Sequence, residues 1–299
     1  MKEAPYLRKS RSGRIFDVFN TIFLILLFVI MVYPFYQQFI VSINEGIDAD
    51  RATLYFWPRK FTLENYEWLF QHSGIPRGLL ISLLRVVVGT VSGLLCTSML
   101  AYLVSVKGFS ARRPLRIFFL VTMYFGGGFI PTYLLYIRLG LLNTFTVYWL
   151  PYLFNAYYML IIASYIQNLP YSIVESALID GASYLKIFFR VILPMCVPVL
   201  AAISVFLAVN QWNAWFDNMI YNSKGDWDTV QIILKRMMLE ADIDKKLTLE
   251  TQAAQRMTSR TASTVKAACT MVITIPILMV YPFFQRYFIS GITLGAVKE

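Results

Sequence analysis

The sequence of 299 residues holds a single histidine, His72, and only three cysteines, Cys96, Cys196 and Cys269. Charged residues make up 15% of it, against about 25% in a soluble globular domain. That scarcity excludes a disordered chain, a charged coiled coil and an ordinary cytosolic enzyme. An odd number of widely spaced cysteines defines neither a disulfide framework nor a zinc pattern. Each cysteine lies in or beside an apolar run, where packing accounts for it. One histidine in a polar loop offers no metal centre. No Gly-x4-Gly-Lys-Ser/Thr segment is present either, so the chain lacks a phosphate-binding loop of that type.

What the sequence does have is apolar length. Hydrophobic residues reach 58% and the net charge is +10. A nucleic-acid binder spreads such charge over a face or stripe. Here the cations are confined to short gaps between long apolar runs, which points to a bilayer. A helical crossing takes about 20 mostly apolar residues. Six stretches qualify: 18–40, 80–106, 117–137, 147–166, 195–213 and 264–284. The second tolerates Arg85 near its start. Gly89, Gly93, Pro131, Pro151, Pro198 and Pro276 interrupt these runs. They are tolerated in a bundle whose neighbours re-satisfy the freed backbone groups. The first run is too long for a signal-peptide core and is followed by no small-residue cleavage site, so it reads as a permanent anchor.

The distribution of Lys and Arg sets the orientation. Lys2, Arg8, Lys9, Arg11 and Arg14 precede the first run, and Lys107, Arg112, Arg113 and Arg116 fill an acid-free gap after the second. The positive-inside rule places both in the cytoplasm. The expectation is an all-α polytopic membrane protein with six transmembrane helices and cytoplasmic N- and C-termini. It comprises a cytoplasmic N-terminal segment 1–17 and a six-helix transmembrane domain 18–299. Segments 44–79 and 214–263 lie outside, while loop 167–194 and tail 285–299 lie inside. In the first outer segment, Thr62 caps a short helix with apolar contacts from Tyr66, Trp68, Leu69 and Phe70. In the second, residues 227–258 read as partly helical and amphipathic, with balanced charge.

The loop 167–194 carries the most information. Ser172 and Glu175 have capping-box spacing, and Ala177, Leu178, Gly181 and Ala182 share one side at helical spacing. Small residues there let another protein approach closely, and Leu185, Phe188 and Phe189 form a second apolar stretch before Pro194. On the residues alone, an amphipathic helix lying on the membrane is an equal reading.

Glu175, Ser176, Ala177, Asp180, Gly181 and Ala182, followed by Ile192, Leu193 and Pro194, resemble the cytoplasmic loop of ABC importer permeases. That pattern runs Glu-Ala-Ala, two residues, Asp-Gly-Ala, about nine residues, then Ile-x-Leu-Pro. Ser176 departs at the second position and Ile192-Leu193-Pro194 matches loosely. The resemblance implies a type I ABC importer permease fold, with this loop forming a coupling helix in a groove of an ATP-binding subunit. Glu175 would cap it, Asp180 would fix its turn, and Gly181 with Ala182 would permit close approach. Phe125 to Tyr133 (with Gly126, Gly127 and Gly128), Leu139 to Thr144, and the tail Gly295, Ala296, Val297 and Lys298 resemble the carbohydrate-uptake branch of maltose and alginate or aldouronate type. In that branch the tail enters the interface of the ATPase dimer, and the second outer segment reaches the binding protein.

The implied partners are a second homologous permease, two ATP-binding subunits, an extracytoplasmic sugar-binding protein, an oligosaccharide and the lipid bilayer of a bacterial cytoplasmic membrane, with no nucleic acid. ATP and Mg would sit on the ATPase partners, with no cofactor on this chain and no catalysis by it. Polar and aromatic residues inside spans are candidates for the sugar pathway: Asn155, Tyr157, Asn210, Gln211, Trp212 and Asn213. Bonding between helices and interfacial anchoring are the competing roles for them. The same fold carrying amino acids, phosphate or a metal is the alternative. An intramembrane enzyme would need convergent His, Asp, Glu or Cys inside the spans, which carry almost none.

Overall fold

The computed structural model describes residues 11–72, 74–244 and 261–296. The described residues are helical, with no strand and one isolated bridge between Asn44 and Phe61. Two compact units form, one from Met1–His72 with Glu240–Val272 and one from Ser73–Leu239 with Ile273–Glu299.

The first unit opens with α1, Arg11–Ser42, which is apolar around its whole circumference and exposed along most of its length. A helix of that kind belongs in lipid or against other spans. The polar stretch after it is organised by asparagines. Asn65 donates to the carbonyls of Ser42 and Asn44, at 3.0 Å each. Asn44 Oδ1 accepts the Lys60 N–H. Short helix α2, Gly46–Arg51, is held by Arg59, whose Nε meets Asp48 Oδ2 at 2.9 Å. The bonds from Arg59 and Asn44 keep the Asp48 carboxyl below the usual carboxylate range. Helix α3, Glu64–His72, starts where Thr62 Oγ1 accepts the Glu64 N–H. Leu69 is fully buried there, whereas Phe70 stays exposed, against expectation.

The second unit is built on α4, Ile75–Leu103. It packs with α7, Ala156–Gln167, and α11, Val197–Asn213, around Leu100, Met159, Ile162, Ile203 and Leu207. Small residues on α4 set the spacing. A side chain at Gly78 would strike Ile233 Cδ1 at 2.5 Å, and one at Gly89 would strike Gln211 Nε2 at 2.7 Å. Close approach of this kind lets helices associate where no hydrophobic driving force separates protein from lipid.

Three of the six expected spans, each with an internal proline, are broken. Residues 117–137 divide into α5, Arg112–Tyr124, and α6, Phe129–Arg138, bent by 117°. Gly128, at φ 82° and ψ 169°, makes the break in a region open only to glycine. Gly126 and Gly127 have open space around them among the described residues, and Gly128 precedes the first residue of α6. At 147–166, 3-10 turns lead into α7 with a 46° bend at a segment containing Asn155. The fifth stretch begins at Val197 and lies 82° from the helical run before it, because Pro198 opens a new first turn after Cys196. Among the described residues, three helices are long and apolar enough to cross a membrane, or up to six if each bent pair is one span. The last of them, α14, spans Ala262–Ala296, and α13, Val230–Asp244, precedes it with Val230, Ile232 and Leu234 buried.

Gly128→Ala should destabilise the protein by about 1–3 kcal/mol, the scale of forcing a side chain into that backbone region. Thermal unfolding in detergent measures this, and an unchanged midpoint would show that the break tolerates a side chain.

Candidate functional site

The loop 167–194 folds into a helix, a stop and a second helix. Helix α8, Tyr171–Ile179, begins after Pro170 with no side-chain cap. The expected capping box is therefore corrected: Ser172 lies inside the helix, where its carbonyl accepts from Ser176 Oγ at 2.9 Å, and Glu175 is an exposed mid-helix residue. Proline at the entry already presets the turn and displaces the cap. The C-terminus is ended by backbone geometry. Gly181 has φ +74°, its N–H reaches the Leu178 carbonyl at 3.0 Å, and the Ala182 N–H reaches that of Ala177 at 3.0 Å. These paired bonds satisfy helix-end carbonyls and require a left-handed residue. Asp180 contributes its backbone N–H to Ser176 O. The turn is set by Gly181, not by the Asp180 side chain as expected.

The face assignment also changes. Val174, Ala177, Leu178 and Ala182 pack against the chain's own core. Their small size permits close internal packing. The open face carries Glu175, Ser176, Ile179 and Asp180, with Ile179 86% exposed. Ser183 Oγ then accepts the Lys186 N–H to start α9, Tyr184–Ile187. A π-helical turn, Phe188–Ile192, leads to α10, Leu193–Met195, which contains Leu193 and Pro194. Ile187, Phe188, Ile192 and Cys196 are buried in the same core, whereas Leu185 and Phe189 are exposed. The loop is thus anchored from below by aromatic and aliphatic side chains and presents an acidic face with one large apolar residue.

The sugar-pathway candidates separate into two groups. Asn155 caps α7, its Oδ1 accepting the Tyr158 N–H at 3.0 Å, while its own N–H reaches Thr97 Oγ1. Gln211 is buried and accepts from Arg85, and Trp212 is buried with Nε1 toward the Ile273 carbonyl at 3.3 Å. These three serve helix packing. Tyr157, Asn210 and Asn213 are exposed, with Asn210 Nδ2 at 3.4 Å from the Tyr158 hydroxyl. Of the tail residues, Gly295 and Ala296 end α14, while Val297 and Lys298 lie outside the described residues, as do 1–10 and 245–260.

A buried ionic cluster was not singled out from the sequence. Arg85, 1% exposed, donates from Nε to Gln211 Oε1 at 2.8 Å, from Nη1 to Asp217 Oδ1 at 3.1 Å and to the Ala214 carbonyl at 3.3 Å. A further bond joins Nη2 to Asp217 Oδ2, and the guanidinium lies 4.7 Å from the Tyr148 ring centre. Asp217 sits on α12, Phe216–Tyr221, and also accepts the Asn218 N–H. Asn218 and Tyr148 both donate to the Trp227 carbonyl, and Ser82 Oγ accepts the Val230 N–H. The signal available was a lone cation inside an apolar run. Asp217 was hidden among the balanced charges of the outer segment.

An all-helical chain with apolar spans, a bent helix pair at each of three positions and a short exposed helix on a buried base has the architecture of a membrane transport permease. No family model matches the sequence. The polygalacturonan/rhamnogalacturonan transport system permease YtcP of Bacillus subtilis is 34% identical over 96% of this chain and 99% of that protein. Protein LplC of the same organism is 33% identical over the full length of both. The arabinooligosaccharides transport permease AraQ of Halalkalibacterium halodurans is 28% identical over 97% of this chain and 99% of that one. A crystal structure of a bacterial ABC transporter that imports the acidic polysaccharide alginate matches with TM-score 0.84 and 27% identity, covering 95% of this chain and 100% of that chain. The chain belongs to the ABC importer permeases, in the carbohydrate-uptake branch.

Arg85→Met should destabilise the second unit by about 3–5 kcal/mol, because it leaves a buried carboxylate unpaired. Arg85→Met with Asp217→Leu should recover much of that loss. Unfolding midpoints in detergent test this, and a double variant no better than the single one would assign the stability to Gln211 and Tyr148 instead. Gly181→Ala should cost about 1–2 kcal/mol of local stability through the left-handed backbone, with Gly181→Asn costing less. Hydrogen exchange at Asp180–Ala182 reads it, and equal protection in all three would remove the role given to Gly181.

Proposed function

We propose that this chain is one of two permease subunits of an ATP-driven, binding-protein-dependent oligosaccharide importer. It would cross the bacterial cytoplasmic membrane six times, with both termini in the cytoplasm, outer segments 44–79 and 214–263, inner loop 167–194 and tail 285–299. The observation that carries the reading is the loop 167–194: a short rigid helix with an exposed face, fastened to the core by Ile187, Phe188 and Ile192. Closure of an ATPase dimer on that face pushes a lever whose base is continuous with the span-forming helices α4, α7 and α11. ATP hydrolysis falls to two partner subunits, since this chain has no phosphate-binding loop. Binding-protein docking and ATP binding each favour the outward-open packing, and hydrolysis restores the inward one. A ligand moves such an equilibrium only by its differential affinity for the two states.

The exposed residues Tyr157, Asn210 and Asn213 are the pathway candidates that geometry leaves available for sugar. Aromatic faces stack on pyranose rings, and amides bond to hydroxyls. An oligosaccharide is favoured over amino acids or phosphate because two of the relatives are named for transport of polygalacturonan or rhamnogalacturonan and of arabinooligosaccharides, and the structural relative imports alginate.

The assembled transporter in liposomes should show ATPase activity stimulated by its binding protein loaded with an oligosaccharide. A panel of neutral and acidic oligosaccharides identifies the cargo, and stimulation by an amino acid or phosphate but by no sugar would overturn the reading. Ile179→Asp should reduce stimulated ATPase activity about tenfold, as for loss of a central interface anchor worth 1–2 kcal/mol. An unchanged rate would remove loop 167–194 from the coupling.

A further inference from the structure

Beside the base of α8 lies a cavity of about 280 Å³, whose wall includes Tyr102, Lys107, Arg112, Gln167, Tyr171 and Tyr184. None of its lining residues is acidic. Lys107 lies 3.9 Å from the centre of the Tyr171 ring, and neither it nor Arg112 has a carboxylate at ion-pair distance among the described residues. Tyr102 is 6% exposed and its hydroxyl is buried with no hydrogen-bond partner. Arg112 also opens α5, whose N-cap Ala111 offers no accepting side chain and whose first turn holds no acid. Helix N-termini carry partial positive charge and favour anions. This one carries Arg112 and Arg113 instead, so like charge is concentrated where a helix wants the opposite sign.

We propose that the cavity binds a phosphate group, supplied by the headgroup of an anionic phospholipid. A phosphate relieves the repulsion at the start of α5, accepts bonds from Arg112 and Lys107, and gives the Tyr102 hydroxyl an acceptor once a small opening exposes it. The volume lies just below the usual range for ligand cavities of about 300–1,000 Å³. It suits a phosphate with its glycerol and is too small for an oligosaccharide. Basic pockets between spans on the cytoplasmic side are where lipid headgroups bind. Orientation alone asks for positive charge somewhere in 107–116. It does not place two of those cations in the wall of an acid-free cavity. The membrane side of the site rests on the orientation proposed above, whereas its preference for an anion rests on the cavity itself. Bound there, the headgroup would wedge α8 against the start of α5 and stiffen the coupling loop.

Native mass spectrometry of the assembled transporter in detergent, with equal phosphatidylglycerol and phosphatidylcholine added, tests this. Phosphatidylglycerol should be retained about fivefold over phosphatidylcholine. Arg112→Gln and Lys107→Gln should each abolish most of that preference, and Arg190→Gln, an exposed cation outside the cavity, should leave it. Lys107 is exposed, so its variant keeps the test open if Arg112→Gln fails to assemble. Inorganic phosphate should displace the lipid. Phosphate binding that is lost in Arg112→Gln, with no lipid preference, would keep the site and change the source to a free phosphate. Equal retention of both lipids with no phosphate binding, or equal loss in Arg190→Gln, would overturn the proposal. The readout needs no transport, so its failure leaves the importer reading standing, and failure of sugar-stimulated ATPase activity leaves the lipid result standing.

Discussion

A guanidinium buried in an apolar helix governs the architecture of the second unit. Arg85 cannot leave its charge unpaired away from water, where breaking a buried pair costs several kcal/mol. It is satisfied only if Gln211 on α11, the Ala214 carbonyl and Asp217 on α12 all converge on it. That single demand joins α4 to the end of α11 and to the polar stretch that follows. Gly89 is small because Gln211 must approach it, and Tyr148 lies over the guanidinium because a π face is a favourable wall for a cation. Asn218 and Tyr148 meet again at the Trp227 carbonyl, so the residues leading into α13 are tied to the same cluster.

The opposite end of the unit is organised without buried charge. Its base is aromatic and aliphatic, with Phe188 packed near Tyr102 at 5.5 Å between ring centres. Its shape comes from backbone devices: Pro170 at the start of α8, Gly181 at its end, a π turn over Phe188–Ile192 and a fresh helix start at Pro198. Each disposes of helix-end polar groups while changing direction within a few residues. A second helix end uses the same solution, with Gly140 at φ +65° after α6 and its N–H on the Ile137 carbonyl. Rigid turns of this kind hold the short helix α8 in a fixed place on the core.

The apolar runs, the helical class, the loop with its Glu-to-Pro motif and the concentration of cations in 107–116 were legible because each is a local property. Composition reports the solvent, and short motifs report turns. The capping box failed because Ser-x-x-Glu spacing is common and proline had already set the helix start. Of the small-residue stripe, Ala177, Leu178 and Ala182 pack on the chain's own core while Gly181 stays exposed, because periodicity identifies a stripe but not what covers it. Asn155, Gln211 and Trp212 stay open between sugar contact and helix packing in the sequence, because a polar residue in a span has the same appearance whether it meets a ligand or another helix.

The sequence alone determined the helical membrane class through its apolar length, and its resemblance to ABC importer permeases rests on short stretches such as Glu175 to Pro194, which survive in one dimension. Only the tertiary structure decided which polar groups are structural, where the spans bend and which side of α8 is open. Those depend on residues far apart in the chain, such as Arg85 and Asp217, meeting in space. No local pattern carries that information, because the free energy of a buried charge is fixed by its partners and not by its neighbours in sequence.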